Sequence, residues 1–361
     1  MGEDGVGGIK FNDFPLAYEI GAVALALILF SGGLDTEVKT LKKAAAPAFV
    51  LSIAGVILTA GIVGFLIHFF FDISLAKSLL LGAVVGSTDA AATFLLLRQR
   101  NINLKDGLGE TLMVEAGIND PMAIFLTIMM VAIVDANLPL NMETLISFLP
   151  ELLLQLGLGL IAGIIGGIVA SFLISRVKMP VSLFAPFAMA TALLVFNFTA
   201  ISGGSGFLAV YVCGVILRYR MTHQTERVSQ FHDGLSWISQ IVLFLMLGLL
   251  VTPSNLMSSV PIGLAVAAVL IFIARPIATF LCLTPFGMGI RQQTFIGWVG
   301  LRGAVPIFLA IIPVISPGPI DENFFNVVFV VVIISLFLQG WTISLAARWL
   351  GLIDDAPATK D

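Results

Sequence analysis

Charged residues are scarce in this chain. Its 361 residues include 18 Lys or Arg and 22 Asp or Glu, 11% in all, against roughly 25% in a soluble domain. That shortage excludes a water-soluble globule. Histidine occurs three times and cysteine twice, too few for a His-rich catalytic metal motif. Cys213 and Cys282 lie in separate apolar runs, so they suggest packing rather than a disulfide framework or a metal site. A formal charge of -4 gives no reason to expect a nucleic-acid partner. The first fourteen residues carry no basic segment leading into an apolar one, so no cleavable secretory signal is evident. Gly203-Gly204-Ser205-Gly206 follows no strand pattern and lacks a Lys or Asp to support a phosphate site.

Apolar sequence fills the space that charge leaves. Hydrophobic residues make up 58% of the chain and the mean hydropathy is +1.06. Each membrane crossing needs about 20 apolar residues, and apolar runs bounded by polar, Gly or Pro clusters predict helices near 16–31, 45–71, 75–97, 112–134, 149–175, 181–199, 206–217, 235–251, 261–283, 294–314 and 324–349. The expected fold class is therefore an all-α polytopic membrane protein with eleven spans. The shortest run, 206–217, has room to borrow length from the glycines before it.

Basic residues test that count, because cytoplasmic loops are enriched in Lys and Arg. Lys39, Lys42 and Lys43, then Arg98, Arg100 and Lys105, then Arg176 and Lys178, then Arg218, Arg220 and Arg227, then Arg291, and finally Arg348 and Lys360 fall on alternate connections. The opposite side carries only Lys10 and Lys77, while Arg275 and Arg302 lie within spans. This alternation predicts an outside amino terminus and a cytoplasmic carboxyl terminus.

A charge at bilayer depth costs at least about 2.5–3.5 kcal/mol on insertion scales, so each one needs a partner or a task. Asp89, Glu115, Asp120, Arg275 and Arg302 occupy such positions, whereas Glu19 sits in the first turn or so of its helix and reads as interfacial. Asp89 belongs to Gly86-Ser87-Thr88-Asp89-Ala90-Ala91-Ala92-Thr93, a polar island halfway along the third span. Ser, Thr and Asp cap helices and compete for backbone hydrogen bonds, so a break is expected there. A kink with its capping residues is the plainer reading. Asp120 lies in Glu115-Ala116-Gly117-Ile118-Asn119-Asp120-Pro121. Pro121 cannot donate to the Gly117 carbonyl, which adds a free oxygen beside the Asp120 carboxylate and the Asn119 amide. Clustered hard oxygens suit an alkali cation or a proton.

Glu115 and Asp120 are about 140° apart on a helix, so the two carboxylates are expected at separate sites and Glu115 needs its own cation. Arg302, in Gly300-Leu301-Arg302-Gly303-Ala304-Val305-Pro306, is the preferred partner; Arg275, followed by Pro276, competes for the same role. The glycines and proline around Arg302 predict a second broken helix, making the third and tenth spans counterparts in two halves of a transporter-like architecture. Gly159, Gly163 and Gly167 give small-xxx-small spacings, expected at a close helix contact or dimer face. His223 and His232 are placed in a basic cytoplasmic loop, where pH sensing is open to them, and His68 near an outer helix end.

Gly-Ser-Thr-Asp-Ala-Ala-Ala at 86–92, Glu-Ala-Gly-Ile-Asn-Asp-Pro-Met-Ala at 115–123 and Gly-Leu-Arg-Gly-Ala-Val-Pro at 300–306 resemble the signature segments of the monovalent cation:proton antiporter-1 family of the sodium/hydrogen exchanger superfamily. Its bacterial potassium/proton antiporter branch is the nearest in likeness, and the resemblance runs through about residue 349. It implies an inverted-repeat antiporter fold with two broken, crossing helices, forming one transmembrane domain over 1–361, in the cell inner membrane. It implies a transporter rather than an enzyme, with no cofactor and with K+ or Na+ and H+ as the transported species. Asp120 becomes the ion-carrying carboxylate holding the alkali cation, with Thr88, Asp89 and Asn119 around it. Gly86, Gly300, Gly303 and Pro121 serve the breaks, and a Glu115–Arg302 pair braces the core. Asparagine ahead of the aspartate resembles the electroneutral type. The resemblance also implies a homodimer, two further helices ahead of the first span and a cytoplasmic domain after the last, so the chain looks truncated at Met1. Ser31 stands where many members place an acid, and Ala116 where many have Ser. A sodium-selective antiporter, a channel and a non-transporting relative are the alternatives.

Overall fold

The computed structural model describes residues 8–36, 45–89, 92–93, 96–97, 102, 104–105, 107–176, 180–221 and 225–353, leaving aside the side chains of 181 and 225–227. Lys39, Lys42, Lys43, Arg98, Arg100, Lys178, His223 and Lys360 lie outside the described residues. Within them the chain is helical, and all eleven expected spans have a helical counterpart: α1 (Phe14–Asp35), α2 (Ala45–Phe71), α3 (Leu75–Val84), α4 (Leu108–Asp135), α5 (Leu149–Arg176), α6 (Phe184–Ile201), α7 (Gly206–Arg220), α8 (Thr225–Leu250), α9 (Pro253–Phe286), α10 (Ile290–Trp298), α11 (Ala304–Ile315) and α12 (Glu322–Trp349). Eight of these are long and apolar enough to cross a membrane, and the chain is a multi-pass membrane protein. The short helices α3 and α11 are apolar half-spans. Between Val84 and residue 92, and again between α10 and α11, the helix is interrupted, at 85–89 and 299–303. The first break falls where Gly, Ser, Thr and Asp interrupt an apolar run, the second where two glycines and Arg302 do.

Helix α7 gains its length at its far end rather than from Gly203-Gly204. Ser205 caps it by accepting from the Leu208 amide at 3.3 Å, and the helix runs on to Arg220. Pro121 does not break α4, which is continuous over 28 residues. One lost backbone bond is tolerated because both flanks of Pro121 are buried in packing.

Two compact units emerge. The first comprises 1–15, 42–140 and 247–361; the second comprises 16–41 and 141–246. In the first, α3 lies against α2 so closely that a Cβ at Gly64 would come 2.7 Å from the Leu79 backbone. A core of Leu97, Ile102, Leu108, Leu112, Phe295, Ile296 and Ile343 fills the space behind the breaks. The residue 102–105 segment is tied to the chain after α12 by the Lys105 amide, which donates to the Leu352 carbonyl at 3.0 Å. In the second unit α5 packs on α7 through its small residues. A Cβ at Gly159 or Gly163 would meet the Ser205 or Ala209 carbonyl at 2.8 or 2.5 Å, and one at Gly167 the Cys213 carbonyl at 2.9 Å. The glycine stripe is thus a helix contact within this unit.

Candidate functional site

Every membrane-buried charge expected from the sequence belongs to the first unit. At the first break, Val85–Asp89 is non-helical and the helix resumes by a side-chain cap: Asp89 Oδ1 accepts from the Ala92 amide at 3.0 Å. At the second break the backbone is extended enough to pair with the first, the Asp89 amide donating to the Leu301 carbonyl at 2.8 Å. Thr93 Oγ1 adds a donation to the Val299 carbonyl at 3.4 Å. The two interruptions therefore cross with direct backbone contact. Glycine makes this possible. A Cβ at Gly303 would overlap the Asp89 carboxylate, and one at Gly300 would come within 2.8 Å of Arg275 Nε.

Polar side chains in α12 secure the second break. The Arg302 amide donates to Ser335 Oγ at 2.9 Å, Ser335 Oγ donates to Gln339 Oε1 at 2.5 Å, and Gln339 Nε2 donates to the Trp298 carbonyl at 2.7 Å. Ser335 and Gln339 satisfy the backbone groups that the interruption exposes. They were not among the expected site residues, although two polar residues four apart in an apolar span are visible in the sequence.

The expected Glu115–Arg302 pair is not formed. Arg275 Nη2 meets Glu115 Oε1 at 2.7 Å, and both residues are 1% exposed. Arg302 instead donates through Nη1 to the Gly86 carbonyl at 2.8 Å and to the Ser87 carbonyl. Those carbonyls are left free where α3 ends, and a helix carboxyl end attracts a cation. The break itself thus draws Arg302 away from the carboxylate. Arg275 follows a π-helical turn, Leu270–Ala274, of the kind often found at functional sites. A second such turn, Leu51–Gly55, brings Ser52 Oγ to within 3.1 Å of the Glu115 carbonyl, to which it donates.

Glu115 Oε1 also accepts from Thr88 Oγ1 at 3.3 Å and from Asn119 Nδ2 at 3.5 Å, and Asn119 Nδ2 donates to Thr88 Oγ1. Thr88 and Asn119 hence join the Glu115–Arg275 pair rather than hydrogen-bonding to Asp120. Asp120 lies on another side of α4, 5% exposed, accepting from Ser87 Oγ. Among the described residues it has that one hydrogen-bond partner and no cation at ion-pair distance. The break thus splits its hydroxyls, Ser87 serving Asp120 and Thr88 serving Glu115. Three carboxylates, Asp89, Glu115 and Asp120, stand with two guanidinium groups, Arg275 and Arg302, so the ionised cluster carries one surplus negative charge. A small cavity beside it is lined by Thr88, Asp89, Thr93, Leu112, Glu115, Val299 and Gly300.

Ser31 belongs to the second unit, where it donates to Asp233 at 3.2 Å. His232 is not in a loop: it sits inside α8, 1% exposed, with Nδ1 2.8 Å from the Val228 carbonyl and its ring against Phe30. The basic residues ahead of it suggest a loop, but the α8 helix begins seven residues earlier, at Thr225.

The transmembrane sodium/hydrogen exchanger family model matches residues 2–349. The K(+)/H(+) antiporter NhaP of Alkalimonas amylolytica is 44% identical over 351 residues, which cover 97% of this chain and 60% of that protein. The K(+)/H(+) antiporter NhaP2 of Shewanella oneidensis is 42% identical, with 96% and 60% covered. The chain thus spans about 60% of the length of these relatives. Among solved structures, the sodium proton antiporter MjNhaP1 of Methanocaldococcus jannaschii superposes with a TM-score of 0.77 at 22% identity, covering 94% of this chain and 92% of that one.

Proposed function

This chain belongs to the sodium/hydrogen exchanger family, and from that premise we propose that it exchanges a monovalent cation, potassium in preference to sodium, for a proton at Asp120. One observation carries the assignment: Asp120 is a buried carboxylate whose described partner is a hydroxyl, not a cation, while Glu115 has its own guanidinium. A proton or a single alkali cation at Asp120 cancels the surplus negative charge of the cluster. An empty ionised site is costly to carry through a low-dielectric interior, so the site crosses only when loaded. Proton and cation compete for one carboxylate, which couples the two fluxes one for one and makes the exchange electroneutral. The site is exposed alternately to each side of the membrane, with hydroxyl and amide oxygens near the break, those of Ser87, Thr88 and Asn119, available to complete the cation's shell. Potassium is favoured because the relatives at 44% and 42% identity are named K(+)/H(+) antiporters.

The protein acts as a secondary transporter, not as an enzyme, in the inner membrane of a bacterium. The Lys and Arg alternation favours an outside amino terminus.

Proteoliposomes holding a pH-sensitive dye test the reading. With an imposed proton gradient, added K+ should dequench the dye more than Na+ does, at a rate unaffected by clamping the membrane potential. Asp120→Asn should abolish the response. Exchange by Asp120→Asn at the parent rate would exclude Asp120 as the carrier, and cation flow without proton flow would favour the channel reading.

A further inference from the structure

At the edge of the first unit, at the end of α3 away from the first break, a cleft of about 190 Å³ opens between the start of α3, the start of α12 and α9. Its walls are largely apolar, with Ile73, Ile262 and Phe324 among them, but four polar side chains line it: Lys77, Ser78, Asp321 and Asn323. Ser78 is 1% exposed and its hydroxyl has no hydrogen-bond partner among the described residues. A buried, unsatisfied hydroxyl is unfavourable in a folded protein, which points to a group that completes it. The Lys77 ammonium donates to the Pro319 carbonyl at 3.2 Å, leaving two of its three donors available. Asp321 is exposed at the start of α12 and accepts from Asn323 at 3.0 Å, leaving carboxylate acceptor capacity toward the cleft. Nearby helix ends expose large apolar side chains: Phe69 and Phe70 at the end of α2 are 72% and 67% exposed, and Met257 near the start of α9 is 77% exposed. The cleft therefore opens at a helix-end level that faces lipid.

We propose that this cleft binds one zwitterionic aminophospholipid, of the phosphatidylethanolamine class. Lys77 meets the phosphate, Asp321 the primary ammonium, and the buried Ser78 hydroxyl donates to a glycerol ester oxygen, while an acyl chain lies along Ile73, Ile262 and Phe324. Opposite charges at the mouth select the headgroup. A choline headgroup has no N–H to give Asp321, and a glycerol headgroup, whose phosphate charge Lys77 meets equally, has no ammonium to pair with that carboxylate. A bound lipid would also link the first half-span to α12, whose Ser335 and Gln339 hold the second break.

Native mass spectrometry of the full chain, in detergent supplemented with equal amounts of ethanolamine, choline and glycerol phospholipids of matched acyl chains, tests the assignment. One ethanolamine lipid should remain bound per chain at about tenfold excess over either competitor, the equilibrium effect of a charge-assisted hydrogen bond. Asp321→Asn should bring ethanolamine and choline lipids to parity, and Lys77→Gln should lower retention of all three. Ser78→Ala should lower ethanolamine retention and keep the headgroup order. Equal binding of the choline lipid by the parent chain, stronger binding of the glycerol lipid, or an undiminished ethanolamine preference in Asp321→Asn would each overturn the proposal. Asp321→Glu keeps the carboxylate and must keep the preference, which separates loss of the ligand group from damage to the fold.

Discussion

Arg275 and Glu115, 160 positions apart in sequence, form an ion pair at 2.7 Å in the interior of the first unit. Removing one member of such a pair leaves a charge in a low-dielectric setting, at a cost of about 3–5 kcal/mol. Arg275→Ala should accordingly lower the thermal unfolding midpoint of the purified protein sharply, and adding Glu115→Gln should recover much of the loss. Arg302→Ala is also expected to destabilise, because it strips the Gly86 and Ser87 carbonyls of their donor. Glu115→Gln should not repair that variant. A repair of Arg302→Ala equal to that of Arg275→Ala would restore the original pairing.

The exchange of partners between the two arginines marks where sequence reading reaches its limit. Both helix breaks were legible, since Gly86, Ser87, Thr88 and Asp89, and later Gly300 and Gly303, interrupt runs that are otherwise apolar. Glu115's need for a cation was legible too, because a carboxylate at that depth is costly. Which guanidinium meets it depends on how two elements face each other, and a π-helical turn at 270–274 rotates the helix phase just before Arg275 in a way that no residue spacing announces. The breaking of α3 also creates two free carbonyls, and these compete for Arg302. Ser335 and Gln339 were legible as polar residues in the last span, but their use appears only when the unpaired groups of the second break are counted. His232 was misplaced because Arg220, Arg227 and His223 suggested a loop; a helix end rich in basic residues has the same composition.

Competition at a single carboxylate has a kinetic signature. Where proton and cation exclude each other at Asp120, lowering the pH should raise the apparent KM for the cation by up to about tenfold per pH unit while leaving the maximal rate unchanged. Exchange in proteoliposomes across a pH series measures this directly. A falling maximal rate with constant KM would instead indicate a separate regulatory proton site. Ser87→Ala, which removes the described hydrogen bond to Asp120, should shift the KM curve along the pH axis without abolishing exchange.

The crossing of the breaks depends on the absence of side chains at two positions. Gly303→Ala should abolish transport and lower the unfolding midpoint, because its Cβ overlaps the Asp89 carboxylate, and Gly300→Ala should do so less severely, because the Arg275 side chain it meets at 2.8 Å has some freedom to move. Gly61→Ala is the control. Nothing among the described residues lies within 4 Å of a Cβ there, and an interior helical Gly→Ala change is worth about 0.5–1 kcal/mol of added stability. Equal behaviour of all three variants in a transport assay and a melting curve would show that close approach at the crossing is not required.

The far end of α11 is held by a second contact involving α4. Ser316 donates to Asp135 Oδ2, while Asp135 Oδ1 is buried without a partner among the described residues, and a Cβ at Gly318 would overlap the same carboxylate. Asp135 closes the helix that carries Asp120, and the Ser316-Pro317-Gly318-Pro319 segment follows the half-span that leads away from the second break. Ser316→Ala leaves both carboxylate oxygens unserved, so a loss of about 1–3 kcal/mol is expected, read as a lower unfolding midpoint and faster amide exchange in residues 311–319. Ser316→Thr keeps the hydroxyl and should restore both. Since this contact lies outside the charged cluster, the cation KM of Ser316→Ala should stay at the parent value. A changed KM would mean that the loop reaches the ion site through α11.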